Sequence, residues 1–171
     1  MNDSGLTAKF TLENYWQVEC IGPDGKLKWS DEFTNLVVNA GLNDSLDKHL
    51  KGSSYTAAWY VGLISGTPTV AAGDTMASHA GWAENQDYTG STRPTLVLGT
   101  VSGQSVDNSA SKASYAINAT ATIGGAFLVN LPTKGQTSGT LYGGGAFSGG
   151  NRAVQNGDTL NVTVTATASA S

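Results

Sequence analysis

The spacing of leucines in one stretch of the chain predicts a helix. Leu42, Leu46 and Leu50 recur every four residues, which places them along one stripe of a helix. Asn39 can act as the N-cap, and Gly52 can adopt the left-handed conformation that often ends a helix. We therefore predict one helix over residues 39–51, and we expect its leucine stripe to cover an open end or face of the remaining fold.

Apolar and polar residues alternate through much of the remaining chain, which is typical of half-buried strands. Pro23-Asp24-Gly25 can form a tight turn, so residues 16–33 are predicted to be a β-hairpin. The apolar run 59–64 is predicted to be a central strand that is covered on both faces. Further strands are predicted at 10–14, 94–101, 111–120, 123–129, 140–147 and 158–166.

About eight antiparallel strands with Gly-rich turns favour a mainly β fold, a jelly-roll-like β-sandwich carrying the one helix. Residues 9–171 are predicted to form a single domain, and residues 1–8 a flexible N-terminal arm that is either loose or becomes ordered on a partner. The composition agrees, with 22 glycines and only 13% charged residues. Gly124-Gly125 and Gly143-Gly144-Gly145 predict bulges or close approaches of a second backbone.

Residues 65–92 lack a period and predict a long loop, with one helical turn near 75–79. Loops of this length in a compact domain are usually functional or contact a partner. Trp82 and Tyr88 are the aromatic residues in it that we expect to pack onto something. The candidate partner-contact residues are Trp82, Tyr88, His79, Asp74, Arg93 and Arg152.

Charge and motifs argue against several classes of function. The net charge is −4 and the basic residues are scattered, which disfavours a nucleic-acid partner. The sequence contains no apolar run long enough for a membrane span and no signal peptide, so we expect synthesis as a soluble protein in a reducing cytoplasm. Asp74 and His79 match no metal-site spacing, and Cys20 is expected to be a buried strand residue. We predict a non-enzymatic protein with no catalytic residues, metal or cofactor.

Several short blocks resemble small structural proteins of tailed bacteriophages. The blocks are Trp16-Gln-Val-Glu, Asp24-Gly25-Lys26-Leu27-Lys28-Trp29, Asn35-Leu36-Val37-Val38-Asn39-Ala40-Gly41-Leu42, Ala57-Ala58-Trp59-Tyr60-Val61-Gly62-Leu63-Ile64, Ala80-Gly81-Trp82 and Gly139-Thr140-Leu141-Tyr142-Gly143. The resemblance covers most of residues 15–165. It implies a virion structural protein, and the group includes jelly-roll capsid cement, or decoration, proteins that sit outside the shell as oligomers.

The resemblance makes a capsid cement protein the leading hypothesis. Such a protein would be made in the host cytoplasm, lie on the outer capsid surface, and contact the major capsid protein and itself, as a homodimer or homotrimer. Its contacts are expected in the N-terminal arm, the 65–92 loop and the turns near Gly149. The alternative is a tail or tail-fibre component whose aromatic loop, with Trp82 and Tyr88, touches host glycans.

Overall fold

A computed structural model describes residues 10–54 and 58–170, which fold into two antiparallel β-sheets with one helix. This is the β-sandwich that the sequence predicts. The narrower jelly-roll description and the single domain stay predictions. The predicted arm, residues 1–8, lies outside the described residues.

The first sheet contains five strands. Its main path runs β2-β1-β11-β6, and β7 also pairs with β11. The strands are β1 (Phe10–Ile21), β2 (Leu27–Thr34), β6 (Ser105–Asp107), β7 (Ala113–Ala116) and β11 (Thr159–Ala170). β1 pairs with β11 along its whole length, from Phe10 opposite Ala170 to Ile21 opposite Thr159.

The second sheet contains six strands. Its main path runs β3-β9-β8-β4-β5, and β10 pairs with β8. The strands are β3 (Leu36–Val37), β4 (Tyr60–Ser65), β5 (Ala83–Asn85), β8 (Ala121–Val129), β9 (Leu141–Ala146) and β10 (Arg152–Val154). The helix α1 (Asn39–His49) follows β3 and packs on β9.

The side chains of β1 show why the two sheets pack together. Trp16, Val18 and Cys20 are fully buried, whereas the residues between them are exposed or partly exposed. β4 is different, since four consecutive residues from Val61 to Ile64 are buried, as expected for a strand covered on both faces. Aromatic rings join the sheets: Phe33 of β2 packs on Phe147, which directly follows β9, with ring centroids 5.7 Å apart.

Several predicted elements are confirmed. The hairpin is formed by β1 and β2, and Gly25 at its turn has a φ of 76°. Gly52 has a φ of 78°, as predicted for the end of the helix. The Gly-rich blocks lie where backbones approach closely, because a Cβ atom on Gly125 would overlap the carbonyl oxygen of Gly145. The predicted central strand is β4, shifted by one residue.

Other predictions are wrong in detail. Residues 94–101 form no continuous strand; instead the Pro94 carbonyl accepts from the Val61 N–H and the Leu96 N–H donates to the Trp59 carbonyl, around one isolated bridge between Thr95 and Tyr60. The helix ends at His49, and its N-cap is Val38, since Asn39 is already helical. Residues 75–78 form a turn closed by Thr75 and Ser78 rather than a helical turn. The four strands β3, β5, β6 and β10 were not predicted, because two or three residues are too few to show alternation.

Candidate interaction surface

An apolar groove lies between the two sheets, beside α1, and encloses about 890 Å³. We call it the α1 groove. Its walls come from the start of β1, the end of β11, the helix, β8, β9 and the 94–99 segment. The lining residues are Phe10, Leu12, Asn14, Leu42, Asp44, Ser45, Leu46, Lys48, His49, Leu50, Trp59, Leu96, Leu98, Leu128, Tyr142, Val164 and Ala166.

The leucine stripe of α1 is left largely open to solvent. Leu42 is 42% exposed, Leu46 55% and Leu50 81%. The leucines line the groove between the sheets, so they face an open side of the sandwich as predicted, but they stay partly exposed there. A leucine on a helix of a monomeric protein normally faces the core, because its burial contributes about 1.5–3 kcal/mol to the free energy of unfolding. Here the stripe forms the outer wall of the α1 groove.

The helix contacts the second sheet through a glycine instead. Gly41 is buried, and a Cβ atom at this position would overlap the carbonyl oxygen of Tyr142 in β9. Val38, just before the helix, is fully buried, and its N–H donates to that same oxygen at 3.1 Å. The close approach of the two backbones places the glycine side of α1, and not the leucines, directly against β9. A glycine next to the stripe is the sequence signal that could have predicted this orientation.

The inner wall of the groove combines apolar side chains with one buried amide. Trp59 meets Tyr142 edge to face, with ring centroids 5.3 Å apart. Asn14 is only 2% exposed, and within the described part of the chain its side-chain nitrogen has no hydrogen-bond partner. Burying an amide donor without an acceptor is costly, so this group favours an occupant that supplies an oxygen atom.

Within the part of the chain that the structure describes, the first residues of β1 reach the groove with no neighbouring strand on one edge. β2 pairs with residues 15–21 of β1, and the Asn35 N–H donates to the Asn14 carbonyl at 3.2 Å, whereas residues 10–13 pair with β11 alone among the described residues. Phe10, at the start of this part, is 71% exposed. An unpaired strand edge beside exposed apolar side chains is a common site of protein–protein contact.

Three of the predicted contact residues form one cluster in the 65–92 segment. The Trp82 indole nitrogen donates to the Asp74 carboxylate at 2.9 Å, and the His79 ring stacks on Trp82 with centroids 3.9 Å apart. Trp82 is largely buried and packs on Phe127 of β8. The cluster fastens the segment to the second sheet, and its contact with a partner stays a prediction.

Tyr88 is also packed inside the fold. Its ring meets Tyr115 of β7 edge to face at 4.9 Å, and the Lys134 ammonium lies 4.3 Å from its centroid. Burial is the main reason that the pKa of Tyr88 is well above its usual value. Its phenol therefore stays protonated at neutral pH. A role for Tyr88 in partner contact stays a prediction.

Arg93 forms a buried ion pair with Glu84 of β5. Its Nε and Nη2 atoms each donate to a different carboxylate oxygen of Glu84 at 2.8 Å. Nη1 donates to the carbonyl of Leu131, and the guanidinium lies 5.4 Å from the Phe127 ring centroid. The bidentate pair with Glu84 and the bond to the Leu131 carbonyl together hold three segments of the chain in place. Arg93 was predicted to contact a partner, which stays a prediction.

Arg152 lies in a second, polar depression of about 530 Å³ on the first sheet. Its guanidinium bonds the Asp31 carboxylate at 2.7 Å, and the Gly149 N–H donates to the same carboxylate at 3.0 Å. Burial opposes ionisation of Asp31, but the Gly149 and Arg152 hydrogen bonds outweigh it and lower the pKa. Arg152 thus holds the turn near Gly149, and its contact with a partner stays a prediction.

The single cysteine is buried beside another ion pair. The Cys20 Sγ lies 3.7 Å from the Asp158 carboxylate, to which the Lys28 ammonium donates at 2.7 Å. Burial and the neighbouring carboxylate raise the pKa of the Cys20 thiol to about 11. The thiol is therefore protonated at neutral pH and unreactive as a nucleophile. This agrees with the prediction that Cys20 is a buried strand residue.

Comparison with protein-family models and with curated proteins gives no match for this chain. The described part of the chain also contains no helix with the length and apolar character that crossing a membrane requires. The resemblance to phage structural proteins therefore rests on the sequence blocks alone. The α1 groove is the largest exposed apolar feature described above, and the pattern of the sequence does not predict it.

Proposed function

We propose that this chain is a non-enzymatic structural protein of a tailed-bacteriophage virion, specifically a capsid cement protein. In this role it binds the outside of the head shell across neighbouring subunits of the major capsid protein and stabilises the shell. The observation that carries the proposal is the α1 groove, an apolar surface that the described residues leave open. Such a surface is typical of a subunit that is completed by contacts in an assembly.

Two further features support an exterior position on the shell. The net charge of −4 is unfavourable beside packaged DNA and acceptable on the outer surface. The turns and the 65–92 segment are held by buried ion pairs and stacked rings, so they present a preorganised surface. Several modest contacts made by a rigid protein act together, which stabilises a shell through avidity.

The proposal is tested by adding the purified chain to capsids that lack it. We expect the protein to bind the shell in proportion to the number of capsid subunits and to raise the temperature at which the shell disrupts. Cryo-electron microscopy of the decorated shell locates the added density. The absence of binding, or labelling confined to the tail, would contradict the proposal.

A further inference from the structure

We propose that the α1 groove is the face through which two copies of this chain associate about a twofold axis. This inference rests on the proposed function in treating the chain as a subunit of an assembly, and it names the surface that joins one subunit to another. The occupant of each groove is the exposed leucine stripe and Phe10 of the second copy.

The surface supplies both a protrusion and a recess. Phe10 and Leu50 are 71% and 81% exposed and project at the rim. Beside them lies the open volume of about 890 Å³, walled by Trp59, Leu128 and Tyr142. In a twofold interface the same patch meets itself, so the projecting side chains of each copy enter the recess of the other. A surface with both parts is self-complementary.

The exposed apolar area is also sufficient for a stable dimer. The exposed fractions of Phe10, Leu42, Leu46, Leu50 and Leu98 amount to roughly three whole side chains. At a value on the order of 150 Å² for a large apolar side chain, each copy offers about 450 Å². One side of a standard interface buries about 800 Å², of which roughly 56–65% is non-polar. The apolar area that each copy offers therefore matches the non-polar part of one side of a standard interface.

The charges on the helix favour an antiparallel second copy. Of the acidic and basic helix residues that line the groove, Asp44 lies in the first half of α1, and Lys48 and His49 lie in its last turn; Asp47 does not line the groove and pairs with Lys51. When two copies of α1 run in opposite directions, the basic end of each lies nearest the acidic half of the other. The helix dipoles are then opposed as well, which is the favourable arrangement. Asn14 fits the same model, because a carbonyl oxygen of the second copy would satisfy its buried amide.

The test is sedimentation equilibrium of the purified full-length chain, whose protomer mass is 17.5 kDa. We expect the wild-type protein to have twice this mass. Leu46→Glu should raise the dimer dissociation constant by about 100-fold or more, because each dimer loses two buried leucines. The matched control is Leu27→Glu, since Leu27 is 56% exposed and Leu46 55%, but Leu27 lies in the β1–β2 hairpin away from the groove. This control should leave the dimer intact.

Circular dichroism and thermal unfolding establish that each variant is folded. If Leu46→Glu does not fold, Leu50→Glu replaces it, since Leu50 is more exposed. A wild-type protein that is monomeric at all concentrations would overturn the inference, as would a trimer or a dimer that Leu46→Glu leaves intact. A monomer that loses capsid binding on Leu46→Glu would assign the groove to the capsid and also overturn it. Because the test needs no capsid, a dimer that fails to bind capsids would contradict the proposed function alone.

Discussion

Replacing Leu46 with Ala tests whether the leucine stripe belongs to the surface or to the core. Leu46 is 55% exposed, so less than half of its side chain is buried in the protomer. Full burial of a leucine contributes about 1.5–3 kcal/mol, which limits the loss on truncation to roughly 1 kcal/mol. Alanine is also the better helix former, which reduces the loss further. We therefore expect Leu46→Ala to lower the free energy of unfolding of the protomer by about 1 kcal/mol or less.

The comparison variant is Leu160→Ala in β11. Leu160 is fully buried between the sheets, and removing such a side chain costs about 2–5 kcal/mol, including the cavity that remains. Urea unfolding followed by tryptophan fluorescence gives both values, and two protein concentrations separate protomer stability from association. Equal destabilisation by the two substitutions would show that the stripe is part of the core, and the assignment of the α1 groove as a surface would then be refuted.

Three other predictions concern the stability of the fold. Gly41→Ala should destabilise the protein by about 1–3 kcal/mol, as measured by urea unfolding, because the new methyl group overlaps the Tyr142 carbonyl oxygen. Arg93→Ala should cost about 3–5 kcal/mol in the same assay, since it leaves a buried carboxylate without its cation. The pKa values of Asp31 and Asp158 are lowered in the fold, so both ionised carboxylates stabilise the folded state. Their contribution to the free energy of unfolding is fully present above about pH 4 and is lost as the pH falls through the folded-state pKa values. Thermal unfolding between pH 6 and pH 2 measures this loss.

Each of these predictions has a control in the same chain. Gly73→Ala should be nearly neutral, because a Cβ atom there meets nothing within 4 Å. Lys26→Ala breaks the exposed ion pair to Asp24 and should cost less than about 1 kcal/mol. Asp158→Asn should flatten the acid dependence, and an unchanged pH profile would contradict the role given to that carboxylate. Equal effects of Arg93→Ala and Lys26→Ala would likewise contradict the buried pair.

The parts of the fold that were predicted from sequence are those governed by local chemistry. The hairpin follows from Pro23-Asp24-Gly25 and the alternation around it, and β4 follows from its continuous apolar run. The helix follows from the spacing of its leucines, whatever those leucines contact. These features depend on residues close together in sequence, so the pattern is sufficient to predict them.

The candidate surface could not be predicted in the same way, because it depends on contacts between distant residues. Leucines four apart give the same pattern whether the stripe faces a core or solvent. The close approach of Gly41 to Tyr142 decides the orientation, and those residues are far apart in sequence. The same limit explains why Trp82 and Tyr88 were chosen as candidate contact residues, although both side chains pack inside the fold. Their partners, Phe127 and Tyr115, come from strands that follow much later.

The pairing of β1 with β11 has a consequence for how the protein reaches its native state. The first described strand is matched residue by residue with the last, from Phe10 opposite Ala170 onward. During synthesis the hairpin can form early, but the first sheet cannot be completed until residues 159–170 have left the ribosome. Contacts between such distant segments make folding slow, and the growing chain keeps an apolar strand edge exposed meanwhile. We expect the yield of soluble protein to depend strongly on chaperones and expression temperature.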